Sequence, residues 1–313
     1  MTNIQEMYLP SVLVLLASYN GELWIGEQLD SIACQEGVDV HIVISDDCSD
    51  DSTLDVIEQK RLEGKSLNVI SRTFKSGSAG QNFLDLFRNV DLTNYEYVAF
   101  SDQDDVWFPG KLRTAIDALK KSGCGGYSSS VEAFWPSGRS KVLHQAANVS
   151  EIDFLFEGGG QGCSFVLAAD VFCRVQNFLL HNDDATKKFY YHDWLVYLLV
   201  RCWGVKWYFD PSPSMSYRQH GGNDTGARFG FNAVLQRIRL IRSGWYKDQI
   251  VLACQLAERA CFKHPVKCQL DEFLAMENSL SRRFSIFVFC IRFGRRKGFD
   301  RIILAFSGMS GFI

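Results

Sequence analysis

Ser101-Asp102-Gln103-Asp104-Asp105-Val106-Trp107 sets three carboxylates within four positions. Packed that closely, they raise one another's pKa unless a cation shares the charge. Extended backbone turns Asp102 and Asp104 to one side and Asp105 to the other. That pairing suits a small oxygen-seeking ion, which takes one or two carboxylates and completes its shell with water and phosphate oxygens. A solvated acidic loop is the competing reading. The apolar run 95–100 before the acids and Trp107 after them weigh against it.

Other polar residues with chemical potential also stand where apolar runs end. Ser18-Tyr19-Asn20-Gly21 follows the run 12–17, and Asp46-Asp47 follows the run 40–45. Both positions suit contact with a ligand, whereas Ser49 to Ser52 equally suit capping of the next helix. Asp193, in Tyr190-Tyr191-His192-Asp193-Trp194, stands where a helix opens. It either complements the helix dipole or, among aromatic neighbours, serves as a partly desolvated base. In Tyr217-Arg218-Gln219-His220, Arg218 offers a phosphate contact and His220 a metal ligand. Alone, each of these two residues is more often structural. The Gly-rich segment 157–162 reads either as a close backbone approach to a ligand or as a plain connecting loop.

Positioning these residues falls to a repeated strand-and-helix pattern. Strands are predicted at 12–17, 40–45, 67–71 and 95–100, with helices at 22–33, 53–61 and after Gly77-Ser78-Ala79-Gly80, where Phe83, Leu84, Leu86 and Phe87 mark an inner face. The alternation predicts a largely parallel, helix-flanked sheet, and ligands bind such sheets at the carboxyl ends of the strands. Gly-x-Gly-x-x-Gly is absent after the first strand, which argues against a nicotinamide enzyme. A helix is predicted over 111–121, and the alternation is then lost over 125–156, where short β segments and turns are expected. It resumes with a strand at 163–168, helices at 170–180 and 195–202, and a strand from Ser214 into the turn at Gly221, Gly222 and Asn223.

A chain of 313 residues, 47% hydrophobic and 22% charged, has the composition of a soluble globular protein with a substantial core. Its net charge of -3 conceals an asymmetry: residues 228–313 hold 15 Lys/Arg against 6 Asp/Glu, leaving the rest strongly acidic. Ten scattered cysteines without a Cys-x-x-Cys pair suggest small buried hydrophobes in a reduced, cytoplasmic setting. The seven-residue spacing of Cys254, Cys261 and Cys268 predicts one helical core face. No signal peptide is expected, and no run reaches the ~18 apolar residues of a membrane span. The basic helical tail, with Arg237, Arg239, Arg242, Arg282, Arg283, Arg292, Arg295, Arg296 and Lys297, has two readings. Either it lies on an anionic membrane surface, or it packs on the sheet domain with an ordinary charged outer face. Nucleic acid is disfavoured as a partner, because no recognised binding module is present.

Ala17-Ser18-Tyr19-Asn20-Gly21, Ser45-Asp46-Asp47, Ser101-Asp102-Gln103-Asp104-Asp105-Val106-Trp107 and His192-Asp193-Trp194, in this order, resemble the inverting glycosyltransferase family 2 over roughly residues 11–225. The Asp-Gln-Asp-Asp-Val-Trp form is most similar to bacterial rhamnosyltransferases of surface-polysaccharide synthesis. The resemblance implies the A-type glycosyltransferase fold: a Rossmann-like, mostly parallel mixed sheet flanked by helices, here with a C-terminal helical extension. It divides the chain into a catalytic domain, 1–227, with nucleotide-sugar and acceptor halves meeting near residue 122, and an extension, 228–313.

By the same resemblance, Ser18, Tyr19, Asn20 and Asp47 surround the nucleoside with Asp46 nearby. Asp102 faces ribose or sugar hydroxyls, and Asp104 coordinates Mg2+ or Mn2+, with Asp102 and His220 as further metal contacts and Arg218 on the diphosphate. Asp193 is the catalytic base. The implied donor is a dTDP- or UDP-linked sugar, with dTDP-rhamnose foremost, and the implied acceptor is a lipid-linked saccharide at the inner face of a bacterial membrane in O-antigen or capsule synthesis. Gly160 to Ser164 would wall the acceptor side. The family's common Glu-Asp pair is His192-Asp193 here, and the Gln-x-x-Arg-Trp signature of processive synthases is absent, so transfer of one or a few sugars is expected. Two rivals are a phosphatase of the haloacid dehalogenase type and a non-catalytic carbohydrate- or nucleotide-binding scaffold. The position of the acidic motif after about three strands, and the intact acids at Asp102, Asp104 and Asp193, argue against them in turn.

Overall fold

The computed structural model describes residues 8–145, 149–221 and 239–312. Gly222, Asn223, Arg228 and Arg237, invoked above, lie outside the described residues, as does the proposed boundary at 227/228. The first half alternates as its apolar periodicity predicts: β1 (Ser11–Ser18), α1 (Ile25–Ala33), β2 (Asp39–Asp46), α2 (Thr53–Leu62), β3 (Leu67–Ser71), α3 (Ala79–Asn89) and β4 (Tyr97–Ser101). β1 lies between β2 and β4, parallel to both, with Ser18 opposite Asp46 and Leu16 opposite Ser101. Residues 12–16 are wholly buried, which is why this strand reads as a continuous apolar run rather than an alternation. The register brings the polar residues following β1, β2 and β4 to one edge of the sheet.

The second half turns the sheet mixed. It contributes β5 (Val106–Trp107), α4 (Lys111–Ser122), β6 (Gly126–Phe134), β7 (Ser140–Leu143), β8 (Val166–Ala168), α5 (Ala169–His181), α6 (Asp183–Thr186), α7 (His192–Cys202) and β9 (Trp207–Arg218). Among the described residues the sheet runs β3-β2-β1-β4-β8-β6-β9-β5, with β7 hairpinned onto β6. β8 is antiparallel to both β4 and β6, whereas β9 is parallel to β6.

Two expectations require correction, and a third is sharpened. Among the short β segments expected over 125–156 is a central nine-residue strand, β6. Its serines hide it from a hydrophobic pattern, yet Ser128, Ser129 and Ser130 are fully buried, bonded to the Gly159 carbonyl at 2.7 Å, the Ser214 hydroxyl at 2.6 Å and the Asp210 carbonyl at 3.3 Å. β9 begins at Trp207 rather than Ser214. Its register against β6 jumps between Asp210 and Pro213, and such a bulge accommodates prolines that cannot donate to a ladder. The segment at Cys163 is no strand: Gly162–Ser164 forms a single 3-10 turn, closed by the Phe165 N–H on the Gly162 carbonyl at 2.9 Å.

Each face of the sheet carries its own apolar cluster. Val12, Val14 and Leu16 point towards α1, α2 and α4. Leu13, Leu15 and Ala17 share a cluster with α3, α5, α7 and the C-terminal helices Trp245–Arg259, Pro265–Ala275, Leu280–Phe293 and Gly298–Met309. Those helices pack on this face of the sheet with α3, α5 and α7, and part of their positive charge ties them there. Arg296 donates to Asp153 at 2.7 Å and to the Gly158 carbonyl at 2.6 Å, and Arg295 donates to Glu157 at 3.2 Å, while buried Arg282 joins two of the C-terminal helices by donating to the Phe273 carbonyl at 2.7 Å. The cysteine spacing misled: Cys254 is buried, but its helix stops at Arg259, and Cys261 and Cys268 are exposed.

Candidate active site

Beyond β1 and β2 the acids are held by complete sets of donors. Asp46 accepts from the Ser18 hydroxyl at 2.8 Å, the Ser49 N–H at 2.8 Å and the Ser49 hydroxyl at 2.6 Å. Asp47 accepts from the Ser76 N–H and hydroxyl at 2.5 and 2.8 Å, with Arg72 at 3.4 Å. Asn20, at φ +48°, exchanges two hydrogen bonds with Asp50, at 2.7 and 3.0 Å. Tyr19 is 43% exposed and its hydroxyl receives Lys75 at 2.8 Å. Gln103 clamps this loop to the end of β4, accepting from the Tyr19 N–H at 2.7 Å and donating to its carbonyl at 2.9 Å. Close approach of Gln103 leaves no space for a Cβ at Gly21. α2 is capped by Asp51, whose carboxylate accepts the Thr53 N–H at 2.9 Å, rather than by Ser52.

Beyond β4 the surroundings of Asp102 and Asp105 differ. Asp105 is fully buried: one oxygen accepts the Arg218 N–H at 3.2 Å, and the other meets no hydrogen-bond donor among the described residues. Burial and the neighbouring acids push it well above the usual carboxylate range. Asp102 is pushed up to about 7 by burial, then by the charge of Asp104. Asp104 meets His220, Oδ2 to Nε2 at 2.6 Å, and the imidazole stacks on Trp24 with ring centroids 3.9 Å apart. Arg218 donates to the Asp104 carbonyl at 2.9 Å and to Glu27 at 2.5 Å, so contact with a phosphate requires it to exchange the exposed Glu27.

The third element is the start of α7. Asp193 is half-buried; one carboxylate oxygen accepts the Trp194 N–H at 2.7 Å, and burial raises the group to about 6. A Cβ on Gly162 would come within 2.9 Å of Asp193 Cβ, so the 3-10 turn and the carboxylate pack edge to edge. Asp193 also contributes to the upward shift of Asp102, which brings β4 and α7 into one electrostatic unit. His192 takes a different part. Its ring stacks on Phe83 at 4.0 Å beside Phe87 and Phe100, and burial lowers it to about 3. It is therefore neutral at physiological pH and already protonates too weakly to serve as a base.

The donor set beside Asp104 fits a divalent cation. A carboxylate oxygen and an imidazole nitrogen converge, the second carboxylate, Asp102, is raised by burial and by Asp104 despite Lys111, and oxygen with nitrogen ligands suits Mn2+. Asp102, Asp105 and Cys163 also bring potential ligand atoms within 4.8 Å of one another. Burial keeps the Cys163 thiol protonated, so it does not offer the thiolate a metal binds.

Two residues that hold the site together escaped the sequence reading. Lys111 is 1% exposed, with its ammonium 3.5 Å from the Trp107 ring centroid and donating to the Cys163 carbonyl at 2.6 Å. It thus binds the acidic segment's Trp to the turn that walls Asp193, although burial lowers it to about 7. Asn82, on the inner face of α3, meets the Ser45 hydroxyl at 2.6 Å and carbonyl at 2.9 Å. A polar residue beside Phe83 and Leu84 on an otherwise apolar face was its only signal.

Comparison with known proteins gives a consistent picture. The family model described as glycosyl transferase family 2 matches residues 13–188. A dTDP-rhamnosyl transferase, RfbG of Shigella flexneri, is 41% identical over 236 residues, covering 75% of this chain and 82% of the relative. The Staphylococcus aureus protein TarS in complex with UDP-GlcNAc superposes with a TM-score of 0.52 at 14% identity, over 96% of this chain and 91% of that one. A mannosyltransferase of Pyrobaculum calidifontis in complex with GDP-Man and Mn2+ gives a TM-score of 0.52 at 15% identity, over 97% and 88% of the two chains. These two likenesses identify the A-type glycosyltransferase fold.

Proposed function

The chain belongs to glycosyltransferase family 2 and is a glycosyltransferase; from that premise we propose that it transfers L-rhamnose from dTDP-rhamnose to a lipid-linked saccharide, with inversion. The donor follows from the rhamnosyl relative, which this chain matches over most of both lengths. In this reading residues 1–122 hold the nucleotide sugar and 123–227 the acceptor. The extension 228–313 meets the cytoplasmic face of the membrane where a lipid-linked acceptor resides.

The observation that carries the reading is Asp193: a half-buried carboxylate raised to about 6, in the same electrostatic unit as Asp102 and walled by the Gly162 turn. It takes the proton of the acceptor hydroxyl as that oxygen bonds to the anomeric carbon. The bond from that carbon to the diphosphate oxygen breaks on the opposite face, and its electron pair leaves with the nucleoside diphosphate. A pKa just below neutral leaves the base ionised yet able to hold a proton. His192 keeps the first turn of α7 packed on Phe83. Ser18, Tyr19, Asn20, Asp46 and Asp47 form the nucleoside end, and a carboxylate there accepts the N3–H of thymine or uracil. Asp104, with Asp102 and His220, would hold Mg2+ or Mn2+, which supplies positive charge against the leaving diphosphate. Arg218 orients Asp104 and Asp105 and reaches the diphosphate on releasing Glu27.

The test is transfer of label from dTDP-rhamnose to a butanol-extractable saccharide lipid, with the anomeric configuration of the product read by NMR. Inverted rhamnosyl product supports the reading. Transfer only from another nucleotide sugar overturns the donor, and release of sugar or phosphate without any acceptor overturns the transferase mechanism.

A further inference from the structure

The last two helices present an apolar face away from the core. On Leu280–Phe293 the buried side is formed by Ile286, Phe289 and Cys290, yet Leu280, Phe284, Val288 and Ile291 are 80, 59, 47 and 40% exposed. Their spacing of four, four and three places them on one stripe. On Gly298–Met309, Phe299, Ile302 and Phe306 are 62, 47 and 59% exposed, at spacings of three and four. Phe287 and Phe306 meet across the helix pair with ring centroids 5.4 Å apart, so the two stripes form one surface. A soluble surface rarely carries a contiguous apolar patch of this kind without a partner.

The charge around the patch identifies the partner's chemistry. Between Leu280 and Met309 the chain holds seven Lys/Arg and one acid, Asp300. Asp300 is 8% exposed and lies 3.8 Å from Arg295, while Arg295 and Arg296 are spent on Glu157 and Asp153. What faces outward is cationic: Arg292 and Lys297 are exposed, and Arg283 and Arg301 are partly so. A second copy of the chain docking by this face would oppose one basic rim to another, which disfavours a symmetric dimer. An anionic bilayer accepts both features, taking the phenylalanines below its headgroups and the cations among its phosphates.

We propose that this helical pair is a membrane-docking surface that seats Phe284, Phe299 and Phe306 in an anionic lipid bilayer. The inference deepens the reading above by naming the residues that meet the membrane. Among the described residues no helix is long and apolar enough to cross a bilayer, so the mode is docking in the interfacial plane. The hairpin joining the two helices is tied through Arg295 and Arg296 to Glu157. Glu157 stands five residues before Gly162, at most about 17 Å of chain. Docking therefore fixes the bilayer near the wall of Asp193, where a lipid-linked acceptor must arrive.

The experiment is vesicle flotation of the full chain on phosphatidylglycerol/phosphatidylethanolamine vesicles and on pure phosphatidylcholine vesicles. Wild type and a Phe284→Ser/Phe306→Ser variant are compared, with light scattering for mass and the ligand-free thermal transition as a fold control. The expected result is co-flotation with the anionic vesicles, at least tenfold weaker on phosphatidylcholine, and at least tenfold loss in the variant with its thermal transition kept. Wild type that does not float, or a variant that floats equally well, overturns the proposal. Wild type that is dimeric, fails to float and becomes monomeric in the variant assigns the face to a second copy instead. None of these outcomes depends on transfer activity, so failure of the docking surface and failure of the rhamnosyltransferase reading are told apart.

Discussion

Asp46 and Asp102 stand at the ends of strands that flank the same neighbour, β1, yet their surroundings are opposite. Asp46 accepts three hydrogen bonds and Asp47 beside it takes two bonds and an arginine. Asp102, Asp105 and Asp193 are raised by burial, and one oxygen of Asp105 has no partner among the described residues. A satisfied carboxylate is a fixed part of the fold, ready to recognise a ligand without rearranging. An unsatisfied one holds free energy that a cation or an incoming proton releases. The sheet thus builds a rigid, hydrogen-bonded end and an electrostatically strained one, which the proposed function assigns to the nucleoside and to the chemistry.

The widest gap between the two ends should appear in turnover. Asp193→Asn is expected to lower kcat by roughly 10²- to 10⁴-fold, the usual contribution of a general base, with the thermal transition unchanged. In wild type, kcat/KM should fall tenfold per pH unit below about 6, because the base must be ionised and Asp193 protonates there. A flat profile between pH 4.5 and 7 would remove Asp193 from the role. Gly162→Ala comes next: its Cβ would crowd Asp193 Cβ and His192 Nε2, each within 2.9 Å. A displacement of about 1 Å can cost up to about 100-fold, so a clear loss of kcat with little change in dTDP binding is expected.

Stability separates the ends in the other direction. Asp46→Ala strands the donors of Ser18 and Ser49 and should cost about 1–3 kcal/mol in urea unfolding. Asp102→Asn should instead raise the Tm by ~2 °C or more in EDTA at pH 8. The sign follows from linkage: the folded state holds the Asp102 proton up to about 7, the unfolded state only to about 3.9. Wild type therefore loses stability as pH rises through that window, and the variant loses less, keeping only the contributions of Asp105 and Asp193. The gain should shrink towards zero as pH falls to 4, and a gain that is independent of pH would show that the strained end is not strained by charge.

The strained end was legible in the sequence as residues and illegible as energetics. Asp102, Asp104 and Asp193 stand out because acids at the ends of apolar segments are conspicuous, and the β1–β4 alternation placed Asp102 and Asp104 just beyond β4, where the structure has them. What made them chemical, burial beneath Lys111 and the Cys163 turn, comes from contacts 52 residues apart. Periodicity reports on a residue's own element, so it missed those contacts, just as it left β6 as an unplaced short segment, where three buried serines stand in place of apolar residues. The charge of the tail was equally visible, but its division between internal ties at Arg295 and Arg296 and a basic rim at Arg292 and Lys297 depends on partners more than a hundred residues away.

The most direct measurement pairs calorimetric dTDP binding in Mn2+ with single-turnover transfer, for wild type, Asp193→Asn and Asp104→Ala. The account predicts that Asp193→Asn binds dTDP within about twofold of wild type and fails to turn over. Asp104→Ala should lose both, since removing charge stabilisation of the diphosphate weakens binding and reaction alike. Wild-type turnover in Asp193→Asn, or loss of dTDP binding in Asp193→Asn as great as in Asp104→Ala, would contradict the division of the site into a binding end and a chemical end.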